Sequence, residues 1–177
     1  MLIFDPLTES EIECRIQQIS EKGVSLLLYK DARCDMKRLD KTIGAERWQR
    51  EHYAVKNSMF CRVGIFLDDI GWVWKSDCGT ESNTEAQKGE ASDSFKRACF
   101  CWGIGRELYT APRIWISAEQ CNIVKNNSGK LACYDTFEVE KIRIEDYVIT
   151  GLAIVNTKKL TNGKPTRCFV WQKPKEN

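Results

Sequence analysis

Basic side chains that could hold a chain of phosphates recur along two segments of this 177-residue sequence. In the first, Arg33, Lys37 and Lys41 follow one another at intervals of four residues, so in a helix they form a ladder along one side. Such a ladder can bind a polyanion, because each cation can neutralise one phosphate. From spacing alone, an ordinary solvated helix face is the favoured interpretation.

The second segment carries Lys88, Lys96 and Arg97. Lys96 and Arg97 are adjacent, so in a helix their side chains diverge by about 100° and cannot face one ligand in the same way. We expect one of them to contact the ligand and the other to pair with an acid such as Asp93 or Glu90. Lys96 is the favoured ligand contact, because Asp93 lies four residues before Arg97 and can pair with it.

Two helices are predicted to position these residues. The first runs from about Asp31 to Ile43, where apolar residues recur at helical spacing and Gly44 supplies a left-handed stop. The second runs from Ser82, which forms a capping box with Glu85, to about Gly103. At about 1.5 Å per residue this second helix is about 30 Å long, enough to cross a sheet. Its predicted apolar side consists of Phe95, Ala98, Cys99 and Trp102.

A further helix is predicted at the start of the chain. Thr8 and Glu11 form a capping box, and Gly23 is a plausible stop before an apolar strand at 24–29. The apolar stripe of this helix is Ile12, Ile16 and Ile19.

The remaining pattern predicts antiparallel strands, at 48–55, 59–67 and 70–75 and then at 148–155 and 168–171. Asp68-Asp69 and Asn162-Gly163 are the predicted hairpin turns. The expected fold class is α+β, with an antiparallel β-β-β meander packed on a long helix, N-terminal helices and a strand-rich C-terminal extension. We expect a single domain over 1–177, with a core at 1–110 and the extension at 111–177.

Composition excludes several classes of protein. No apolar run approaches the roughly 20 residues of a membrane span, and no secretory signal is visible, so a cytoplasmic location is expected. The nine cysteines are odd in number and contain no C-x-x-C pair, and His52 is the sole histidine, so we expect reduced thiols, no metal and no cofactor. Lys and Arg outnumber Asp and Glu by six to one over 158–177, which suits a polyanion partner.

Two segments, taken together, resemble single-strand annealing proteins of the Rad52 type, especially the shorter phage and bacterial members of the Sak kind. The first is Ala32-Arg33, then Arg38-Leu39-Asp40-Lys41-Thr42-Ile43-Gly44 and Trp48. The second is Asp69-Ile70-Gly71, then Lys88-Gly89-Glu90-Ala91-Ser92-Asp93-Ser94-Phe95-Lys96-Arg97-Ala98 and Trp102-Gly103-Ile104-Gly105. The elements occur in the family's order over about residues 30 to 110.

The resemblance implies that the protein binds single-stranded DNA in a basic groove, assembles into rings or filaments, and anneals complementary strands with neither ATP nor a metal. A single-strand binding protein or an exonuclease are candidate partners, and a phage-encoded member would act in its bacterial host cell. Arg33, Lys88, Lys96 and Arg97 match basic positions of the family. Phe100 replaces a further arginine of the eukaryotic members, so we expect a groove that is less basic or that uses other residues.

Four tryptophans could stack on bases, although core packing is about twice as probable for each of them, because large aromatic residues dominate cores. They are Trp48, Trp72, Trp74 and Trp102.

Two other functions stay open. A metal-dependent nuclease could use Asp68, Asp69 and Asp77, although Asp68 and Asp69 also suit a hairpin turn, and no P-loop or G-x-S-x-G motif is present. A double-stranded RNA binding module is the other alternative, since a helix over an antiparallel sheet with scattered basic residues occurs in several such folds. We expect no enzymatic activity.

Overall fold

The structure is a computed structural model that describes residues 2–80 and 86–174, with residues 86–88 described by their backbone alone. The described residues form an α+β protein with two α-helices and mostly antiparallel strands, which confirms the predicted class. The helices are α1 (Ala32–Ile43) and α2 (Ala86–Cys101). The strands are β1 (Ile12–Ser20), β2 (Gly23–Lys30), β3 (Trp48–Val55), β4 (Ser58–Leu67), β5 (Gly71–Cys78), β6 (Ile114–Ser117), β7 (Ile123–Lys125), β8 (Leu131–Cys133), β9 (Phe137–Glu145), β10 (Val148–Thr161) and β11 (Lys164–Gln172).

The described chain contains two compact units, one formed by residues of 1–6 and 31–106, the other by residues of 7–30 and 107–177. The prediction of a single domain stays a prediction. Residues 7–30 group with the C-terminal strands, although they lie within the predicted core of 1–110. The reason is strand pairing, because β1 pairs with β9 and β2 pairs with β6.

The first unit places both helices with the three-stranded antiparallel sheet β3-β4-β5. Alternate residues of β4 enter its core, since successive side chains of a strand point to opposite faces. They are joined there by the apolar side predicted for α2. The buried cluster is Phe4, Leu39, Cys61, Val63, Ile65, Phe95, Ala98, Cys99 and Ile104, with Trp48 and Trp102 packed against it.

The predicted ends of α1 are confirmed. The Asp31 carboxylate accepts a hydrogen bond from the Arg33 amide at 2.7 Å, which caps the helix, and Gly44 ends it with a φ of 91°. The predicted start of α2 at Ser82 and its capping box lie outside the described residues. Between β4 and β5 the chain turns at Asp68-Asp69, as predicted, and the Ile70 amide donates to the carbonyl of Leu67.

The predicted helix at residues 8–23 is wrong. Thr8 and Glu11 do form their capping box, but the turn they cap is a three-residue 3-10 helix, Glu9–Glu11, and β1 follows it. A β-bulge at Gln17 shifts the alternation of β1 by one residue, so Ile12, Ile16 and Ile19 all turn inward at spacings that imitate a helix.

The second unit is built around a six-stranded sheet of order β11-β10-β9-β1-β2-β6, and a small β7-β8 ladder completes it. The predicted hairpin turn between β10 and β11 is confirmed, with Asn162 at φ 51° and Gly163 at φ 75°, as a type I′ turn requires. Asn156 is fully buried, and its side-chain amide donates to the Asp135 carboxylate at 2.7 Å and to the Gln120 carbonyl. Its own oxygen accepts from the amides of Lys158 and Lys159, so its polar groups are satisfied.

All nine cysteines are free. Burial raises the pKa of Cys14 to about 12 and those of Cys61, Cys121 and Cys168 to about 11, so these thiols are protonated near neutral pH. Across the described part of the chain, neither helix has the length and apolar character needed to cross a membrane.

Candidate nucleic-acid interface

Helix α1 exposes the predicted basic ladder. Arg33, Lys37 and Lys41 are all exposed, and among the described residues Lys37 has no ion-pair partner. Arg33 lies 3.2 Å from the Asp31 carboxylate, and its side chain is 88% exposed. The Lys41 ammonium lies 2.6 Å from Asp5. Exposed pairs of this kind contribute little to stability, so both cations can exchange their carboxylate for another anion at small cost.

Lys41 also sets the charge state of its partner. Its hydrogen bond to Asp5, and then its charge, lower the pKa of that carboxyl below the usual 3.8. Asp5 is therefore ionised throughout the neutral range, and the pair is broken only by strong acid, by salt or by a competing anion.

Arg38 is a basic residue of α1 with a different role. Its side chain is buried and donates hydrogen bonds to the backbone carbonyls of Asp5 and Pro6, both at 2.8 Å, and to Cys34 within the helix. It therefore fastens residues 5 and 6 to α1 and is a structural residue. The ladder spacing had already separated it from Arg33, Lys37 and Lys41, because it lies one residue beyond Lys37.

Helix α2 holds its basic pair more deeply. Lys96 and Arg97 are half-buried, and the Arg97 guanidinium lies 3.4 Å from the carboxylate of Asp77 on β5. The sequence did not indicate this partner. The carboxylate of Asp93, which was expected to pair with Arg97, accepts hydrogen bonds from Thr80, and that of Glu90 accepts from the amide of Met59.

The six predicted contact residues are thus divided among different surroundings. Arg33, Lys37 and Lys41 share one exposed side of α1, while Arg97 is tied to β5 through Asp77. Lys88 lies in the first turn of α2, and its side chain is outside the part of the chain that the structure describes.

The outer face of the three-stranded sheet, opposite α2, is lined by aromatic side chains. The strand register aligns Phe66 with Trp72 and Gly64 with Trp74, so these residues share one face. Tyr53 of β3 and Phe60 of β4 are paired across the two strands, and their rings stack on each other. We call this surface the aromatic face; it consists of Tyr53, Phe60, Phe66, Trp72 and Trp74.

Two arginines accompany the aromatic face. The Arg62 guanidinium lies 4.6 Å from the centre of the Trp74 ring, and that of Arg47 lies 5.5 Å from the Phe66 ring. Each is also paired with an acid, Arg62 with Glu51 at 2.6 Å and Arg47 with Asp68 at 2.5 Å. The aromatic face therefore carries guanidinium groups but little net charge.

The sequence favoured core packing over base stacking for each of the four tryptophans, and this holds for two of them. Trp48 and Trp102 pack against the core, as expected. Trp72 is 41% exposed, so the expectation of core packing is wrong for it, and Trp74 lies half-buried beside it. The alternation Trp72-Val73-Trp74 in a strand was the signal, because it places both rings on the face away from Val73.

The acids of the alternative nuclease site do not converge. Asp68 lies in the hairpin turn, whereas Asp77 lies six residues along β5 from Gly71, a distance of about 20 Å in an extended strand. Asp68 and Asp77 are each engaged by an arginine. Among the described residues, no three His, Cys, Asp or Glu side chains are grouped so that they could hold a metal ion.

A comparison with known protein families finds a match over most of the chain. The sequence profile of a family described as "Rad52/22 family double-strand break repair protein" matches residues 3–126. This segment includes α1, the three-stranded sheet, α2 and all six predicted contact residues.

Two curated relatives are similar over part of their length. A protein named "Single-stranded DNA-binding protein DdrA" from Deinococcus radiodurans is 36% identical over 92 residues, which cover 51% of this chain and 43% of the relative. The protein of the same name from Deinococcus deserti is 32% identical over 99 residues, which cover 52% of this chain and 46% of the relative. The matched segment thus spans less than half of either relative. No solved structure matches the chain.

Proposed function

Because this chain belongs to the Rad52/22 family of double-strand break repair proteins, we propose that it binds single-stranded DNA and anneals complementary strands in repair by homologous recombination. The observation that carries this proposal is that the family match includes the whole described helix-and-sheet region of the first unit, with its exposed cations on α1. The names of the two relatives support the choice of single-stranded DNA as the ligand.

The DNA-binding surface is assigned to Arg33, Lys37, Lys41, Lys88, Lys96 and Arg97. Annealing needs a surface that holds phosphates while the bases remain free to test a partner strand, and Lys and Arg along a track meet this need. On α1, Lys37 can bind a phosphate without breaking an ion pair to any described residue. Arg33 and Lys41 can bind one when a phosphate takes the place of the carboxylates of Asp31 and Asp5 as their partner.

Of the adjacent residues Lys96 and Arg97 on α2, we assign the phosphate contact to Lys96. Arg97 is held by Asp77, so its guanidinium is already used to link the helix to β5. Removing Arg97 would leave a half-buried carboxylate without this partner, a cost that a purely ligand-binding residue does not carry.

Trp72 is the residue best placed to stack on a base. Its ring is exposed, and its neighbours hold it, with Phe66 edge-on at 5.6 Å and Trp74 tilted at 6.1 Å between ring centres. Bases are uncharged, so an aromatic surface with balanced charges suits them, while the cations elsewhere on the unit bind the phosphates.

We further propose that the working form is an oligomeric ring or filament, that it needs no ATP, and that the protein is not an enzyme. A single-strand binding protein or an exonuclease would be its partner in recombination. These proposals follow from the family membership, and the absence of a P-loop in the sequence supports the second of them.

The test is an annealing assay with two complementary oligonucleotides and no nucleotide present. One strand carries a donor fluorophore and the other an acceptor, placed so that annealing brings the two labels together. The expected result is faster annealing with the protein than without it. No acceleration, or a strict need for ATP, would contradict the proposal. Competition with double-stranded RNA and incubation with Mg²⁺ test the two alternatives, since preferential RNA binding or loss of the DNA would favour them. Negative-stain microscopy with and without DNA tests the assembly.

A further inference from the structure

A shallow groove of about 270 Å³ crosses β9, β10 and β11 in the second unit. Its floor is formed by the small residues Gly151 and Ala153 of the middle strand. The register places Arg143 beside Gly151 and Lys141 beside Ala153, and Val170 of β11 lies on the other side of Ala153. Long side chains on both outer strands therefore stand above a low centre.

One wall of the groove is basic. Lys141 and Arg143 are two residues apart in β9, so they lie on the same face, about 7 Å apart along the strand. Both are exposed. Arg143 makes no ion pair with any described residue. Glu140, the acid next to Lys141, accepts two hydrogen bonds from Arg167, at 2.5 Å and 2.7 Å, and is thereby neutralised. None of the described residues that line the groove is acidic.

The other wall, on β11, carries the side chain of Val170, which is 68% exposed, beside the polar Gln172. Leu152 and Trp171 alternate with these residues and belong to the opposite face of the sheet. A ligand that carries negative charge along one edge and a flat apolar surface along the other would match both walls. Consecutive nucleotides of an extended single strand have this character, because the phosphates follow one edge and the bases project from it.

We propose that this groove binds single-stranded nucleic acid, with Lys141 and Arg143 each contacting one phosphate and a base lying over Ala153 and Val170. The inference deepens the proposed function, on which it rests, since it gives the second unit its own strand-binding surface. The two cations explain the choice of ligand, because an exposed valine alone would fit many partners.

The experiment measures binding of a fluorescein-labelled oligo-dT strand by anisotropy over a series of salt concentrations. The main variant is Lys141→Gln combined with Arg143→Gln, and the matched control is Lys164→Gln, an exposed lysine of β11 outside the lining. A third variant, Ala153→Leu, fills the floor without changing any charge. Circular dichroism establishes that each variant is folded.

The expected result is a weaker affinity for the double variant, with a slope of log affinity against log salt that is smaller by about 1.4, since each phosphate contact contributes about 0.7 on a single strand. Lys164→Gln keeps the parental slope, and Ala153→Leu weakens binding in the same direction as the double variant. Should Ala153→Leu fail to fold, the charge variants decide alone. Parental affinity and slope in the double variant would overturn the proposal, and so would an equal loss in Lys164→Gln, which indicates diffuse attraction.

The annealing assay separates this inference from the proposed function. If the parent anneals strands and the double variant binds like the parent, the groove assignment is wrong and the function stands. If the double variant binds more weakly but the parent does not anneal, the groove stands and the function is wrong. Equal displacement of oligo-dT by poly-glutamate in the parent, lost in the double variant, would assign the groove to acidic peptides and overturn the nucleic-acid proposal.

Discussion

Helices α1 and α2 both present basic residues, but they hold them in different ways. The ladder cations of α1, Arg33, Lys37 and Lys41, are exposed, and the two that are paired have partners next to the helix, in its N-cap residue Asp31 and in Asp5. Arg97 of α2 is paired with Asp77, which lies in a strand of the sheet below it. The side of α2 around Phe95 is part of the core, whereas the ladder side of α1 faces solvent.

This difference in exposure predicts which cations serve ligand binding and which serve the stability of the fold. A fully exposed cation loses little when its carboxylate partner is replaced by a phosphate, because water already screens the pair. A half-buried cation is more strongly coupled to its partner, because less water surrounds them. We therefore expect substitutions in the ladder of α1 to weaken ligand binding, and substitutions of Phe95 and Arg97 on α2 to lower stability first.

The largest effect is expected at the core face of α2. Phe95→Ala removes a fully buried ring that stacks near Trp48, and it should lower the free energy of unfolding by about 3–5 kcal/mol. Lys37→Ala on α1 should change it by less than about 0.5 kcal/mol. Urea denaturation followed by tryptophan fluorescence measures both. A loss at Lys37 comparable to that at Phe95 would show that the ladder is not a free surface.

The next effect concerns DNA affinity. Replacing Arg33, Lys37 and Lys41 together by alanine should remove three phosphate contacts, and the slope of log affinity against log salt should then fall by about 2. The measurement is anisotropy of labelled single-stranded DNA in a salt series. Lys125→Ala, an exposed lysine of β7, is the control and should keep the parental slope. An unchanged slope in the triple variant would leave the ladder as an ordinary solvated face.

Lys96 and Arg97 should respond differently to alanine. Arg97→Ala breaks the pair with Asp77, whose two side chains are 37% and 31% exposed, so solvent limits the expected loss of stability to about 1 kcal/mol. Lys96→Ala should reduce DNA affinity and leave assembly intact. Asp77→Asn is the matched control, because it breaks the same pair. It should lose about as much stability as Arg97→Ala, and its DNA affinity should be no weaker than that of Arg97→Ala.

DNA titration, together with size-exclusion chromatography and light scattering, compares these three variants. If Lys96→Ala and Arg97→Ala both bind and assemble like the parent, neither residue belongs to the site.

The smallest effect is a shift in the titration of Asp5. Lys41 lowers the pKa of this carboxyl, so the pair stabilises the folded chain above the ordinary value of 3.8 and loses this contribution as the pH falls through the lowered pKa. Lys41→Gln should raise the pKa of Asp5 toward 3.8, which a carboxyl-carbon NMR titration measures. Saturating single-stranded DNA should raise it too if phosphate takes Lys41 away from Asp5. An unchanged pKa in Lys41→Gln would mean that the two groups do not interact in solution.

Local signals predicted α1 well because its determinants lie within the helix and one residue on either side. The apolar spacing, the Asp31 cap and the Gly44 stop are all there. The hairpin at Asn162-Gly163 was equally local. The family resemblance, read from two segments between about residues 30 and 110, is confirmed by the profile match over 3–126. The roles of the six contact residues stay predictions.

What failed depended on residues distant in the sequence. The apolar spacing of Ile12, Ile16 and Ile19 fits a helix, but pairing with β2 and β9, together with the bulge at Gln17, makes the same spacing face the interior of a sheet. Trp72 was expected in the core because of its size, but the alternation of side chains along β5 places it on the outer face of the sheet.

The sequence by itself therefore determined the α+β class, α1 with its basic side, the hairpin turns and the family. Tertiary structure alone decided that residues 7–30 join the C-terminal strands, that Asp77 takes Arg97, and that Gly151 and Ala153 lie between Arg143, Lys141 and Val170. Helix periodicity and turn chemistry are properties of a few neighbouring residues, whereas strand partners, ion pairs across elements and grooves depend on which distant segments meet and in which register.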